Sequence, residues 1–326
     1  MTSHIGIRSW VWLIGLAVLG IVACDRRSAP PGSEESRAVK TFLVGVSQCN
    51  LGEPWRVQMN TDIAQAASRH PELNLVFKDA QNDSLRQRAQ VEELLAQGIR
   101  LLVISPKEAA PLTKPVAQAY RQGVPVIVLD RRVAGSDYTL FIGADNRRIG
   151  REAGKWVVKA LGGKGTIVEL KGLMTSTPGQ DRHQGFREGL ELARHPGLRI
   201  AFEADMQWLE PKARQEMAAA LAREKSISLV YAHNDPGAHG AYLAAKAVER
   251  EGEMKFVGID ALPQEGVRYV HEGVLDATFL YPTGGREAIE WASKILAGKT
   301  PPTKEITLPT RLFTRANVAK GGEAIP

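Results

Sequence analysis

The sequence predicts an α/β protein made of two doubly wound lobes, each built on a parallel sheet. Short, continuous Val/Ile/Leu runs recur from residue 41 onward, as expected for strands that are buried on both faces. Between most of them lie segments with helical spacing of apolar residues, such as SLRQRAQVEELLAQG and PKARQEMAAALARE. Strands that alternate with helices indicate parallel sheets covered on both sides. The apolar runs are TFLVGVS, LNLVFKD, RLLVIS, VPVIVLD, LFIGAD, GTIVELKG, LRIAFEAD, ISLVYAHND, MKFVGID and DATFLYP.

About ten strands would make one improbably wide open sheet, so we predict that the chain divides them between two lobes. The first lobe is predicted to contain residues 41–144 and 283–308, and the second lobe residues 145–282 and 309–326. With 326 residues the chain is long enough for two cores.

The composition argues against a nucleic-acid-binding protein but excludes few other classes. The chain is 44% hydrophobic and 24% charged, which is ordinary for a globular protein, and its formal charge is +6. Its Lys and Arg residues are scattered among acids, with no long basic block and no zinc-finger spacing. A nucleic-acid partner is therefore not expected.

The N-terminus has the layout of an export signal. Arg8 precedes the apolar run SWVWLIGLAVLGIVAC, which is shorter than the ~20 residues of a membrane span. Its end, IVAC, resembles a lipobox, so we predict a lipoprotein signal over residues 1–23 and an acylated Cys24. Residues 24–40 are Pro/Ser-rich and predict a flexible tether. An ordinary signal peptide with a chance cysteine is the alternative. The other cysteine, Cys49, then has no disulfide partner and is expected to be a packed side chain.

Polar and aromatic residues gather where the apolar runs end. In open parallel sheets ligands bind outside the carboxyl ends of the strands, so these residues are expected to converge on one crevice. The candidates are Ser47, Gln48, Trp55 and Arg56 after the first run, Asp130 and Arg131 after the fourth, Asn146 after the fifth, Arg182 after VELKG, Trp208 after FEAD, Asn234 after VYAH, Asp260 after VGI and Tyr281 after TFL.

A structural interpretation of these residues stands beside the functional one. Asn234, Asp235 and Asp260 are also suited to cap the next helix. His233 and His239 are six residues apart, which does not place two metal ligands on one helical face, so a structural role is favoured over a metal site. The chain contains no G-x-x-x-x-G-K-[ST] loop, no G-x-S-x-G elbow and no H-E-x-x-H motif. We therefore expect neither catalytic residues nor a metal nor a cofactor.

This set of side chains suits a polyol. Asp and Asn can engage adjacent hydroxyl groups, Arg donates several hydrogen bonds in a fixed fork, and indole rings cover the apolar faces of a sugar ring. Charge-assisted hydrogen bonds contribute about 1.5–3 kcal/mol each before entropy costs. A few of them with two stacked rings reach the roughly −8 kcal/mol of a micromolar complex.

Over residues 41–318 the chain resembles the type I periplasmic sugar-binding proteins, the ribose- and galactofuranose-binding receptors of ABC transporters. Several stretches are also similar to the fructose-sensing periplasmic domains of hybrid two-component sensors. The motifs that carry the resemblance are VGVSQCNLGEPWR, VPVIVLDRR, FIGADNRRIGREAG, VELKGLMTSTPGQDRHQGF, VYAHND, FVGIDALP and YPTGGREAIEWASKILAGK.

The resemblance implies two lobes joined by a three-stranded hinge near residues 144–146, 281–283 and 308–312. It also implies a monomer that closes on a monosaccharide and delivers it to an ABC permease. An alternative is a sugar sensor that presents its ligand to a membrane signalling partner.

The family's binding residues fall on particular positions of this chain. Its ring-stacking aromatics fall on Trp55 and Trp208, its hydroxyl-binding pair on Asp130 and Arg131, and its second-lobe polar residues on Arg182, Asn234 and Asp260. Two departures argue against ribose: Arg56 replaces an aromatic residue, and Tyr281 replaces a glutamine. We therefore expect a neutral hexose in furanose form, with fructose or galactofuranose as leading candidates.

Overall fold

The computed structural model describes residues 41–325, and within them the strands form two separate sheets. The predicted signal peptide, Cys24 and the tether lie outside these residues. Among the described residues, no helix is both long and apolar enough to cross a membrane. The two sheets and the helices that cover them confirm the predicted α/β fold with two lobes.

The first sheet has the strand order β11-β5-β4-β3-β1-β2, and all of its described neighbours are parallel. Its strands are β1 (Phe42–Gln48), β2 (Leu73–Asp79), β3 (Leu101–Ile104), β4 (Val126–Leu129), β5 (Leu140–Ala144) and β11 (Glu305–Leu308). The helices associated with it are α1 (Pro54–Ala67), α2 (Ser84–Ala96), α3 (Ala109–Arg121) and α9 (Gly285–Leu296). We call this sheet with its helices the first lobe.

The second sheet has the order β13-β12-β10-β9-β8-β6-β7, and β12 and β13 run antiparallel to their neighbours. Its strands are β6 (Lys164–Lys171), β7 (Gly197–Asp205), β8 (Leu229–Ala232), β9 (Lys255–Asp260), β10 (Ala277–Leu280), β12 (Arg311–Thr314) and β13 (Glu323–Ala324). Its helices are α4 (Asn146–Leu161), α5 (Thr177–Leu190), α6 (Glu210–Arg223), α7 (Asp235–Lys246) and α8 (Arg268–Glu272). This sheet and its helices form the second lobe.

Both faces of the first sheet are covered, which explains why its central strands β3, β4 and β5 are apolar throughout. Alternate residues of a strand point to opposite faces. Accordingly Leu101 and Val103 of β3 pack in one apolar cluster with α1 and α9, whereas Leu102 and Ile104 pack in another with α2 and α3. All four are buried. Cys49, just after β1, is also fully buried and unpaired.

The chain passes between the two sheets at three places. It leaves the first sheet after β5, returns to it after β10, and leaves it again between β11 and β12. Between β10 and β11, helix α9 packs against α1 of the first lobe. These crossings bring the carboxyl ends of the parallel strands of the two lobes toward one another, and the candidate residues lie there.

Candidate functional site

A narrow cavity lies where the carboxyl ends of the two sheets meet. Its lining comes from both lobes and from one of the crossing segments. The first wall consists of Glu53, Trp55, Arg56, Asp130 and Arg131; the second wall consists of Pro178, Arg182, Trp208, Asn234 and Asp260; Tyr281 follows β10 and completes the lining. We use these two names below.

Asp130 is the centre of the first wall. Its Oδ2 lies 2.7 Å from Nη2 of Arg56 and accepts a hydrogen bond from Ser105 Oγ at 3.1 Å. Its Oδ1 accepts a hydrogen bond of 2.7 Å from the Tyr281 hydroxyl. Burial by itself would raise the pKa of the Asp130 carboxyl, but Arg56 and Arg131 outweigh burial and hold this pKa below its usual value. The carboxylate is therefore charged, buried and fully partnered.

Tyr281 connects the two lobes. Its ring stacks on Trp55 with centroids 5.1 Å apart, and the Trp55 indole N–H donates to the Tyr281 carbonyl at 2.7 Å. Its hydroxyl, which donates to Asp130, accepts from Nδ2 of Asn146 at 3.1 Å. The residue that replaces the expected glutamine thus covers part of the Trp55 ring and lines the cavity.

Arg182 is the largest fully buried side chain of the second wall, with 2% exposure. Its Nε donates to Asn146 Oδ1 at 2.9 Å, and one terminal nitrogen donates to the His233 carbonyl. Its guanidinium carbon lies 5.3 Å from the centre of the Trp208 ring and 4.5 Å from that of Tyr281. These contacts fix the guanidinium between two aromatic rings at the cavity.

Trp208 reaches the cavity because the chain around it accommodates a strained backbone and a close approach. Its φ of 70° lies in the left-handed region, which is unusual for a bulky residue. The ring lies over Gly172, where a Cβ atom would be only 2.2 Å from the indole. Asn234 Nδ2 donates to the Trp208 carbonyl at 3.0 Å. Backbone strain of this kind concentrates at functional sites.

Asn234 both caps a helix and lines the cavity, so the structural interpretation and the functional interpretation of this residue are both correct. Its Oδ1 accepts from the Gly237 backbone N–H at 3.0 Å, which caps α7. The apolar strand β8 therefore ends in polar residues because the turn must start a helix and complete the second wall.

Asp260 contrasts with Asp130. Its nearest cation is Arg182, at 3.8 Å, and no hydrogen bond of its side chain is found among residues 41–325. Burial raises the pKa of Asp260 well above its usual value; the charge of Arg182 opposes this rise, and Asp235, Glu265 and Glu53 add to it. The second wall thus holds a carboxylate with incomplete compensation.

Nine of the twelve predicted binding residues line the cavity, and three lie behind or beside it. Asn146 bridges Arg182 and Tyr281, as described above. The Ser47 hydroxyl accepts from Gln87 at 3.2 Å. Gln48 is 1% exposed, and neither amide atom has a hydrogen-bond partner among the described residues. Ligand contacts of these three residues stay a prediction.

Two lining residues, Glu53 and Pro178, were not predicted. Glu53 accepts a hydrogen bond of 2.9 Å from Asn50 and is 8% exposed. Each stands at the beginning of a helix, Glu53 just before α1 and Pro178 within the first turn of α5, and not directly at a strand end. A search that included helix starts beside the predicted residues would have found both.

One group of potential metal ligands lies in the described part of the second lobe, away from the cavity. It consists of Glu169, His183 and Glu203. However, Arg187 already contacts both carboxylates, at 3.0 Å from Glu169 and 2.5 Å from Glu203. His233 lies 3.1 Å from Glu169, in agreement with the structural role favoured from the sequence. The protein supplies its own cation there, so the group does not indicate a metal site.

Comparison with known proteins identifies the family. Residues 44–300 match the model of the periplasmic binding protein domain. The chain is 30% identical to the ribose import binding protein RbsB of Escherichia coli over 82% of this chain and 88% of that protein. It is also 30% identical to the galactofuranose-binding protein YtfQ of Escherichia coli, over 72% of this chain and 76% of that one.

Two solved structures resemble the whole described fold. One is the fructose-binding periplasmic domain of a hybrid two-component system, with a TM-score of 0.82, 42% identity, and coverage of 86% of this chain and 93% of that chain. The other is a Mycobacterium smegmatis protein in complex with β-D-fucofuranose, with a TM-score of 0.81, 28% identity, and coverage of 86% and 94%. The chain therefore belongs to the family of periplasmic binding proteins, among relatives that bind sugars.

Proposed function

We propose that this protein captures a neutral monosaccharide in furanose form between its two lobes and delivers it to an ABC-type permease. The observation that carries the proposal is a set of three buried donors on residues that line the cavity. Arg56 Nε, Arg131 Nε and Trp208 Nε1 are buried and have no hydrogen-bond partner among residues 41–325. Buried polar groups in native proteins are nearly always paired, so these three N–H groups favour a ligand with oxygen acceptors.

The charges of the cavity favour a neutral ligand. Three arginines, Arg56, Arg131 and Arg182, face three carboxylates, Glu53, Asp130 and Asp260. An anionic sugar would add an uncompensated charge in a buried site, which is costly. Arg and Asp side chains together can donate to and accept from the hydroxyl groups of a neutral sugar.

The furanose form is supported by relatives, since two of the four described above are named for fucofuranose and galactofuranose and one for fructose, while the fourth is named for ribose. Arg56 supports it less directly than the sequence suggested, because its two terminal nitrogens are engaged by Asp130 and Ser105.

A thermal-shift screen of monosaccharides tests this proposal. A ligand at 100 times its Kd adds ~2.7 kcal/mol to the free energy of unfolding, which raises the melting temperature by several degrees. We expect fructose or galactose to give the largest shift, ribose a smaller one, and glucose 6-phosphate none. A panel without any shift would contradict a sugar-binding function.

A second function is favoured by one comparison. The structure that is 42% identical belongs to a sensory system and not to a transporter. In this alternative the closed, sugar-bound protein contacts a membrane signalling partner. Pull-down of the sugar-bound chain with either a permease or a histidine kinase from the same operon separates the two functions.

We also propose that Cys24 carries a lipid that anchors the protein to a membrane outside the cytoplasm. The motif IVAC and the polar tether that follows it support this assignment. Cys24→Ser should shift the protein from the membrane fraction to the soluble fraction or block its processing, and Cys49→Ser is the matched control. Unchanged membrane association of Cys24→Ser would exclude the anchor.

A further inference from the structure

The turn that carries Asn234 also carries Asp235, whose carboxylate is buried behind the cavity. Asp235 has no exposed surface. Its Oδ2 accepts a hydrogen bond from the Ala261 backbone N–H at 2.7 Å, and the Thr278 hydroxyl donates to its Oδ1 at 2.6 Å. It does not line the cavity and forms no ion pair within the described chain. Its role must therefore lie in the backbone and side-chain groups that its carboxylate binds, Ala261 and Thr278.

What Asp235 holds is the strained segment that presents Asp260. Asp260 has a φ of 132° and Ala261 a φ of 51°, two consecutive non-glycine residues in the left-handed region. Such conformations persist only when surrounding contacts enforce them. The Ala261 N–H that bonds to Asp235 lies at this bend, immediately after the carboxylate that lines the second wall.

The surrounding chain is shaped to fit the Asp235 carboxylate. A Cβ atom at Gly258 would lie 2.2 Å from its Oδ1, and a Cβ atom at Gly266 would lie 1.8 Å from its Oδ2. Both glycines flank the Asp260–Ala261 bend in sequence. The Asp235 carboxyl group therefore occupies the space that a side chain at either glycine would need.

We propose that Asp235 is a positioning residue, which aims the Asp260 carboxylate into the cavity by holding the left-handed bend at Ala261; this inference rests on the proposed sugar site. Burial raises the pKa of Asp235 to about 7, Glu265 adds to the rise and Arg182 opposes it. A protonated carboxyl has the shape of an Asn amide. In Asp235→Asn the amide oxygen can accept from the Ala261 N–H, and the amide nitrogen can donate to the Thr278 hydroxyl in place of accepting from it, whereas Asp235→Ala loses both hydrogen bonds.

The first test uses the Kd of whichever of fructose, galactose and ribose binds best. Asp235→Ala should weaken binding about tenfold or more, and Asp235→Asn should stay within about threefold of the natural protein. The double variant Asp235→Ala/Asp260→Ala should bind no worse than Asp260→Ala alone, because Asp235 acts through Asp260. A merely structural residue would give independent effects that multiply.

The matched control is Asp276→Ala. Asp276 also accepts a hydrogen bond from a backbone N–H, that of Phe256 at 2.9 Å, but near the start of β9, whereas Ala261 follows the end of that strand. This control is expected to lower stability and to leave the Kd unchanged.

The second test needs no ligand. Hydrogen exchange at the Ala261 amide should be slow in the natural protein, in Asp235→Asn and in Asp276→Ala, and about tenfold faster or more in Asp235→Ala. Equal protection of Ala261 in Asp235→Ala, or multiplying effects in the double variant, would overturn the proposal. If the natural protein binds no sugar, the proposed function fails, while exchange at Ala261 still decides whether Asp235 holds the bend.

Discussion

The two walls of the cavity use similar residues but differ in how their charges are compensated. In the first wall, Asp130 has Arg56 at 2.7 Å and hydrogen bonds from Ser105 and Tyr281. In the second wall, Asp260 has Arg182 at 3.8 Å as its nearest cation. The pKa of Asp130 is lowered and that of Asp260 is raised, although both carboxylates are buried.

This difference indicates that the Asp130 and Asp260 carboxylates have different roles in ligand binding. The Asp130 carboxylate of the first wall is held in place before any ligand arrives, because both of its oxygens already have partners. The second wall contains groups whose burial is not yet balanced, including Asp260 and the indole N–H of Trp208. Hydroxyl groups of a sugar would supply the missing partners, so closing of the second wall is the step that a ligand should favour.

The largest expected effect is the loss of the first-wall carboxylate. Asp130→Ala should weaken sugar binding by about 2–5 kcal/mol, because it leaves sugar hydroxyl groups without an acceptor and removes the carboxylate that orients Arg56. Asp260→Ala should weaken sugar binding by a smaller amount, about 1.5–3 kcal/mol. It removes hydrogen bonds to the ligand, but the ion pair that it breaks, with Arg182, is longer than that of Asp130 with Arg56. Calorimetry on both variants measures the difference, with exposed Asp137→Ala as the control. A larger loss for Asp260→Ala would reverse the account of the two walls.

The second effect is the pH dependence of the free energy of unfolding, on the order of a few kcal/mol. Behind the second wall, Asp235 has a pKa raised to about 7, so the folded state binds its proton more tightly than the unfolded state. Its contribution is full below about pH 4 and is lost as pH rises toward 7. Asp130 behaves oppositely: its lowered pKa stabilises the fold above about pH 4, and this is lost in more acidic solution.

Denaturant unfolding of ligand-free protein at pH 5 and pH 8 measures this contrast. The natural protein should be more stable relative to Asp235→Asn at pH 5 than at pH 8. Subtracting the variant removes the contributions of other titrating groups. A stability difference that does not change between the two pH values would contradict the assigned environment of Asp235.

The aromatic rings should contribute about 1–3 kcal/mol each to binding, by analogy with base stacking on aromatic side chains. The two tryptophans differ in a testable way. Trp55 donates its N–H to the Tyr281 carbonyl, whereas the Trp208 N–H has no partner among residues 41–325. Trp55→Phe should therefore lower stability without ligand, and Trp208→Phe should weaken binding with little loss of stability. The reverse pattern in paired melting and titration experiments would be inconsistent with these contacts.

The smallest expected signal is the change of shape on binding. If the crossings near residues 144–146, 281–283 and 308–312 act as a hinge, the two walls separate when the site is empty. Small-angle X-ray scattering should give a smaller radius of gyration with saturating sugar than without it. An identical radius under both conditions would show that the second wall does not move.

Most of the fold could be predicted because its strands carry a strong signal. All ten apolar runs form strands, since burial on both faces leaves a continuous Val/Ile/Leu pattern. Strands β11, β12 and β13 were not predicted as strands. They are short and contain polar or exposed residues, such as Glu305, Arg311 and Glu323, because β11 and β13 are edge strands and β12 is next to an edge.

The sequence could predict which residues line the site but not the hydrogen bonds and ion pairs among them. The rule that ligands bind at the carboxyl ends of strands located most lining residues, including Asp130 and Arg182. It could not show that Asn146 would bridge Arg182 and Tyr281, because that contact depends on how two crossing segments pack. Nor could it show that Arg56 would be engaged by Asp130 and Ser105.

Isothermal titration of the intact chain with fructose, galactose, ribose and glucose is the decisive test of sugar binding between the two walls. We expect micromolar or tighter binding of fructose or galactose, with one site per chain and an affinity that Asp130→Ala lowers by about 2–5 kcal/mol. Tight binding of glucose with no response to fructose or galactose would contradict the furanose assignment. The absence of binding to all four sugars would contradict the claim that the two walls form a sugar site.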